Sequence, residues 1–433
     1  MKRLSLSKTA QRRFLAVFVP LMLLGGVARA QGTGYIYAYF KGPWPDGGHS
    51  GVYLSYSPDG LQFDSMNNDQ PVFVPPAAWS DAEDQTRDPS VVYGPDGRFH
   101  MVWTSGISTK TIGYASSANL KDWTDPQLVE VWGPRVTVDH TWAPEILYDE
   151  IAEHYQIVFA SNLDNDDHKL YSITTDDFST YTAPSVFYYN NATVIDAMIA
   201  RDVAGGQYLM PIKDEQNGQK NIRLATGPTA AGPWTTDNPV IVGPTSGIEP
   251  NATEGPSIIK IGDTWHLYYD AYGAGYLGVA TSDDPTDPSS WVNRTAESTM
   301  PVGPNAHHGT VFAAPLAGIA FDLLPFSRSD LTDDGVLDAS DWLQFNANHL
   351  ADLSGQSGAQ QALAGDLDGD GDNDYDDFAL FKRDYNAYYG GAGTGAFAAM
   401  LRSLAIPEPT TLVLALFAAA GVLGTGRSAR VLG

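Results

Sequence analysis

Two short units recur five times each between Gln31 and Pro315, with steps of 51 to 59 residues, and this repetition limits the folds open to the chain. The first is a strand ending in small hydroxyl residues, followed by a polar turn and an aromatic. It runs Tyr53–Ser57 with Phe63, Gly113–Ser116 with Trp123, Tyr171–Thr175 with Tyr181, Arg223–Thr226 with Trp234, and Gly278–Thr281 with Trp291. From Ser57 through Ser116, Thr175 and Thr226 to Thr281 the steps are 59, 59, 51 and 55. The second unit lies out of phase with the first. It is a short apolar strand headed in turn by Asp88, Ala143, Asp196, Glu254 and His308, at steps of 55, 53, 58 and 54.

Runs throughout this region are short, alternate in polarity and are separated by Gly, Asp, Asn and Pro, with no long helical periodicity. The expected class is all-β: a five-bladed β-propeller of four-stranded blades, closed by its C-terminal strand, followed by a small α-helical EF-hand-like module. Four heads of the second unit are followed by an aromatic strand, and the head at His308 is not. Its missing partners are Tyr35–Phe40 and Val52–Ser57 at the other end, which predicts that the last strand completes the first blade and leaves no open edge at the seam.

Innermost strands of a propeller surround one axis, so their equivalent ends converge on one mouth. Three of the five heads, Asp88, Asp196 and Glu254, are acids. Asp before Pro commonly starts a turn, but three acids in register form a like-charge cluster that separates their proton affinities. Such a set suits glycosidic hydrolysis, in which one carboxylic acid protonates the leaving oxygen and a carboxylate works opposite it. The apolar strand after Glu254 and the charges of Asp88 and Asp196 all disfavour its ionised form, so of the three Glu254 is expected to carry the proton.

Arg87-Asp88-Pro89-Ser90, Trp142-Ala143-Pro144-Glu145, Ile195-Asp196-Ala197, Glu254-Gly255-Pro256 and His308-Gly309 together resemble glycoside hydrolase family 43 over roughly residues 34–315. That resemblance implies a five-bladed propeller cleaving arabinose-, xylose- or galactose-containing polysaccharides with inversion. It implies Asp88 as the general base, Glu254 as the general acid and Asp196 as the residue that tunes and orients the acid. His308 resembles the axial histidine beside a central Ca²⁺ or water, and a cation near His308 is expected on that ground. Trp142 and His308 are the substrate-binding candidates, since indole packs on a sugar face; Tyr39, Phe40 and Trp44 are weaker ones. The rival readings are a propeller that binds glycans without cutting them and a related mannoside phosphorylase. The latter needs a phosphate site, and no basic cluster is evident near the acids.

After Pro315 the composition turns acidic. Asp330, Thr332, Asp334, Asp338 and Asp341 fall at positions 1, 3, 5, 9 and 12 of one loop with Gly335 at 6. Asp366, Asp368, Asp370, Asp374 and Asp377 repeat that spacing around Gly371, with Asp372 at position 7. This is the ligand pattern of an EF-hand-type Ca²⁺ loop. Helices are expected over residues 342–349 and 378–386, and the pair of loop-helix halves resembles a type I dockerin, which brings a cohesin-like partner into consideration.

The ends read as addresses. Lys2, Arg3, Arg12 and Arg13, the apolar run 14–27 and Ala28-Arg29-Ala30 form a secretory signal pattern. Pro407-Glu408-Pro409, the apolar run 410–425 and the arginines 427 and 430 resemble a PEP-CTERM sorting tail, which a membrane protease removes. The expected layout is signal peptide 1–30, propeller 31–318, calcium module 319–390, linker 391–406 and sorting tail 407–433, in an exported, surface-associated protein. The chain has no Cys, so an exported fold must rest on core burial and metals. A formal charge of −26 argues against nucleic acid as a partner.

Overall fold

The computed structural model describes residues 33–42, 51–80, 83–164, 166–215, 220–301, 306–389 and 395–404. The signal and tail segments, and Trp44, lie outside the described residues. Turn residues cut residues 33–315 into antiparallel hairpins, and these assemble into a five-bladed propeller. Blade 1 contains β1 (Thr33–Lys41), β2 (Val52–Ser57) and β3 (Asp64–Ser65). Blade 2 contains β4 (Arg87–Tyr93), β5 (Phe99–Thr104), β6 (Thr111–Ser117) and β7 (Trp123–Glu130). Blade 3 contains β8 (Val138–Asp149), β9 (His154–Leu163), β10 (Lys169–Thr175) and β11 (Ser185–Tyr188). In blade 4 the first strand is split into β12 (Val194–Ala197) and β13 (Ala200–Asp202), both paired with β14 (Gln207–Asp214), and β15 (Asn221–Gly227) and β16 (Val240–Val242) follow. Blade 5 contains β17 (Glu254–Ile261), β18 (Thr264–Ala271), β19 (Tyr276–Ser282) and β20 (Val292–Asn293). Strand β21 (Ala306–Pro315) pairs antiparallel with β1 from Thr33↔Pro315 to Lys41↔Ala306.

Alternate side chains along a strand face opposite sides, so each blade packs on both neighbours. Met101 and Trp103 turn toward blade 1 while Val102 turns toward blade 3; Leu267 and Tyr269 face blade 4 while Tyr268 faces blade 1. Among the described residues the apolar core accordingly divides into five clusters, one between each pair of neighbouring blades.

Every innermost strand carries an extra residue near its head where the register slips, and β8 has a second slip between Val138 and Thr141. Arg87 faces Thr104 but Ser90 faces Val102; Trp142 faces Ala160 but Glu145 faces Val158; Glu254 faces Asp270 but Ser257 faces Tyr268. The slips in blades 4 and 1 fall at Asp196 and at His308. Four bulged residues adopt left-handed backbone: Asp88 at φ 51°, Ala143 at 45°, Asp196 at 48° and Gly255 at 57°. Such bulges re-aim side chains and cluster at functional sites. They also correct the register read from spacing. The residue level with Asp88, Ala143 and Asp196 is Gly255, and Glu254 stands one position earlier, level with Arg87, Trp142 and Ile195. A Cβ on Gly255 would meet the His308 ring at 2.4 Å, so glycine is required there for steric as well as backbone reasons.

Beyond the propeller, three short 3₁₀ turns (Leu316–Gly318, Phe321–Leu323, Pro325–Ser329) lead to α1 (Ala339–Ala347), α2 (Gly358–Leu363), α3 (Tyr375–Tyr388) and α4 (Ala396–Ser403). Helices α1 and α3 begin three residues before the expected starts, because Asp338 and Asp374 cap them and Asp341 and Asp377 close the capping boxes. The segment expected as linker contains α4, which buries Phe397, Met400 and Leu401. Helices α1, α3 and α4 share one apolar cluster with blades 1 and 2: Trp342, Phe345, Phe381 and Phe397 continue through Phe326 to Tyr56 and Met101. Phe326 meets Tyr56 and Tyr388 edge-on at 5.8 Å. Beside it the Arg328 guanidinium donates two bonds, at 2.7 and 2.9 Å, to the buried Asp384 carboxylate, and Ser329 Oγ adds a third at 2.9 Å.

Candidate active site

The bulges give the mouth two tiers. Arg87, Trp142, Ile195 and Glu254, from the position before each bulge, line a cavity of about 340 Å³ together with Asp88, Asp196 and His308 from the bulges themselves. Ile107, His140, Lys213 and Glu215 complete it. All three acids expected from the sequence, and both substrate-binding candidates Trp142 and His308, therefore share one cavity.

Asp88 is fixed at both oxygens. Its Oδ2 accepts from Thr104 Oγ1 at 2.7 Å, and His308 Nδ1 lies 3.3 Å from Oδ1. Burial works against its charge, but His308, Arg87 and Thr104 outweigh burial and hold the carboxyl down at about 2. His308 shows the converse: burial disfavours its cation, and Asp88, Asp196 and Glu145 outweigh that and push it up to about 10. Asp196 accepts from Gly255 N–H at 3.1 Å, and burial pushes its carboxyl upward.

Sequence reasoning did not foresee Lys213. Its Nζ lies 2.6 Å from Glu254 Oε2 and 3.0 Å from Glu215 Oε1. The reading that no basic cluster is evident near the acids is therefore corrected: Arg87, Lys213 and His308 all line the cavity. The ammonium of Lys213 is already engaged by two carboxylates, and the imidazolium of His308 by Asp88. Glu145 was also missed as a site residue. It is buried on the axis, accepts from Ser90 Oγ at 2.6 Å and from Thr310 Oγ1 at 3.0 Å, and burial pushes it up to about 7.

Trp142 is held by a bond from its Nε1 to the Ile107 carbonyl at 2.7 Å. Its ring stacks on His140 at 3.9 Å and His168 at 5.1 Å. Burial lowers both histidines, His168 to about 4, so two neutral imidazoles back the indole. Tyr39 and Phe40 are buried among other aromatics rather than lining the cavity.

In the C-terminal module, Asp366, Asp368 and Asp370 bring carboxylate oxygens within 4.8 Å of one another, as do Asp372, Asp374 and Asp377. Asp377 Oδ1 accepts from Leu367 N–H and Asp368 N–H, folding position 12 back over the loop. In the first loop Asp341 accepts from Thr332 and Asp338, and Asp330 from Gly335. These hard oxygen donors fit Ca²⁺.

A family profile described as "probable glycosyl hydrolase domain", related to family 43, matches residues 31–317. No curated protein matches the chain. Similar solved structures include a thermostable family-43 glycoside hydrolase, at 17% identity over 48% of this chain and 70% of that one, with a TM-score of 0.40. An α-L-arabinofuranosidase from Lactobacillus brevis is 21% identical over 53% and 74%, with a TM-score of 0.41. An endo-arabinase from Bacteroides thetaiotaomicron is 13% identical over 58% and 97%, with a TM-score of 0.43. With the profile spanning well over half of its length, the chain belongs to the family-43-related glycosyl hydrolases.

Proposed function

We propose that the chain hydrolyses glycosidic bonds in arabinose-, xylose- or galactose-containing side chains of plant or algal polysaccharides, with inversion at the anomeric carbon. The observation that carries this reading is the convergence of Asp88, Asp196 and Glu254, from three different blades, on one cavity walled by an indole. Asp88, held ionised, is the base that takes a proton from water. Glu254 is the acid that protonates the leaving oxygen, and Asp196, bonded to the next residue's N–H, orients it. Trp142 supplies the face on which a sugar ring packs. In an inverting reaction the base and the acid act from opposite sides of the ring.

The same reading takes the chain as an exported enzyme with a membrane-processed sorting tail, and its C-terminal module as a dockerin-like pair of Ca²⁺ loops. The shared core supports a docked rather than a tethered module, with one face committed to blades 1 and 2. Any cohesin-like partner would have to use the remaining surface.

The test is release of arabinose, xylose or galactose from a panel of polysaccharides and aryl glycosides, with the product anomer followed by NMR. Glu254→Gln and Asp88→Asn should each lower turnover by about 10²-fold or more. Activity indifferent to both would refute the assignment. Binding without turnover on the whole panel would leave a glycan-binding propeller, and turnover that requires inorganic phosphate would make the enzyme a phosphorylase.

A further inference from the structure

The residue opposite each pre-bulge position, on the second strand of the blade, is Thr104, Ala160, Lys213, Asp270 or Phe40. Three of these reach across to the mouth of the next blade. Thr104 Oγ1 accepts from Ala143 N–H at 2.8 Å. Asp270 Oδ2 accepts from His308 N–H at 3.3 Å and faces His307 Nδ1 at 3.2 Å. Lys213 reaches Glu254. The first two clamp the turn of a neighbouring strand; Lys213 alone of the three reaches across to a carboxylate of the next blade.

Lys213 is 4% exposed, and its Nζ also lies 4.9 Å from the Tyr272 ring and 3.0 Å from Glu215 Oε1. A buried ammonium on a four-carbon stem would ordinarily be unfavourable. Here Asp196 and Glu254 outweigh burial and keep it charged. It therefore has fixed partners on two sides and a ring beside it, and little freedom to leave Glu254.

We infer that Lys213 is the positioning residue of the acid: it fixes one oxygen of Glu254, leaves the other to face the leaving group, and neutralises the carboxylate that forms as the proton departs. The inference rests on Glu254 being the acid. The proton passes from Glu254 to the glycosidic oxygen as the bond from that oxygen to the anomeric carbon breaks, and Lys213 keeps all of its own protons. The proton that Glu254 gives to the leaving oxygen leaves a carboxylate beside Lys213, so a fixed cation there acts on the transition state.

Departure of a good leaving group needs little proton donation, and departure of a poor one needs much. Lys213→Met should therefore lower kcat on alkyl glycosides by about tenfold or more beyond its effect on 4-nitrophenyl glycosides, with KM little changed. Lys213→Arg should restore most of the loss, and in a Glu254→Gln background Lys213→Met should add almost nothing. Equal losses on both leaving groups, or a change in KM alone, would overturn the inference. If Lys213→Met does not fold, Lys213→Gln keeps a donor without the charge and carries the same comparison. Should Glu254→Gln itself show no leaving-group dependence, the acid assignment falls instead; should it show one that Lys213→Met lacks, only the role of Lys213 falls.

Discussion

His308→Gln is the most informative single change, because that imidazolium is surrounded by three acids of the axis. Gln keeps a donor toward Asp88 and removes the charge. The ordinary carboxyl value of 3.8 becomes about 2 at Asp88, with His308 the largest of the groups that favour the charge. At 1.36 kcal/mol per unit that difference corresponds to about 2 kcal/mol. Without the cation, burial acts on Asp88 unopposed by its main partner, and the carboxyl moves up. The base must be ionised, so the acidic limb of kcat/KM against pH should move up by about one to two units. Stability should follow the same pair. The depressed Asp88 contributes stability above 3.8 that is lost as pH falls through about 2. The raised His308 contributes stability that is full below 6.5 and is lost as pH rises through about 10. Urea unfolding of the two proteins should therefore differ most between pH 4 and 6.5, by about 2 kcal/mol, and the difference should shrink toward pH 10. A difference independent of pH over that range, or an acidic limb that stays in place, would show that the pair does not hold the base.

Three further outcomes are expected. Gly255→Ala forces a Cβ to 2.4 Å from the clamped His308 ring in left-handed backbone, and should destabilise the fold by about 2–4 kcal/mol in urea unfolding; near-wild-type stability would mean that the ring yields freely. Asp384→Ala leaves Arg328 without its bidentate partner beside the core shared with blade 1, and should lower stability by about 3 kcal/mol with a single unfolding transition; two separate transitions would mean that module and propeller unfold independently. Removing Ca²⁺ with a chelator should lower Tm, and restoring it to about 100 times Kd should return roughly 2.7 kcal/mol; a Tm indifferent to Ca²⁺ would exclude a stabilising role for the two acidic loops.

The number of blades was legible because a blade is a local object. A hydroxyl-ended strand, a polar turn and an aromatic lie within about 20 residues, so the period survives in the sequence. The register of the innermost strands was not, because a bulge adds one residue without disturbing the alternation on either side of it. Aligning the prolines Pro89, Pro144 and Pro256 would have exposed the slip, since each follows the bulged residue directly. The docking of the module was not legible for a related reason: an acidic composition marks its loops, whereas its attachment depends on Phe326, Phe381 and Phe397, which read as any small core.

Lys213 marks the deeper limit. It stands in the apolar strand Gln207–Asp214, and the carboxylate it grips belongs to the next blade, 41 residues on. Asp88 and His308 meet across a far longer stretch of chain, at the blade where the first and last strands pair. A repeat tells which residue types stand at the heads of the strands. It does not tell which of them touch, because contact at the axis is made between blades and depends on where each bulge turns a side chain. The acids could thus be named from the sequence, whereas the cations that divide them into a held base and a clamped acid could be named only once five bulges had been placed around one axis.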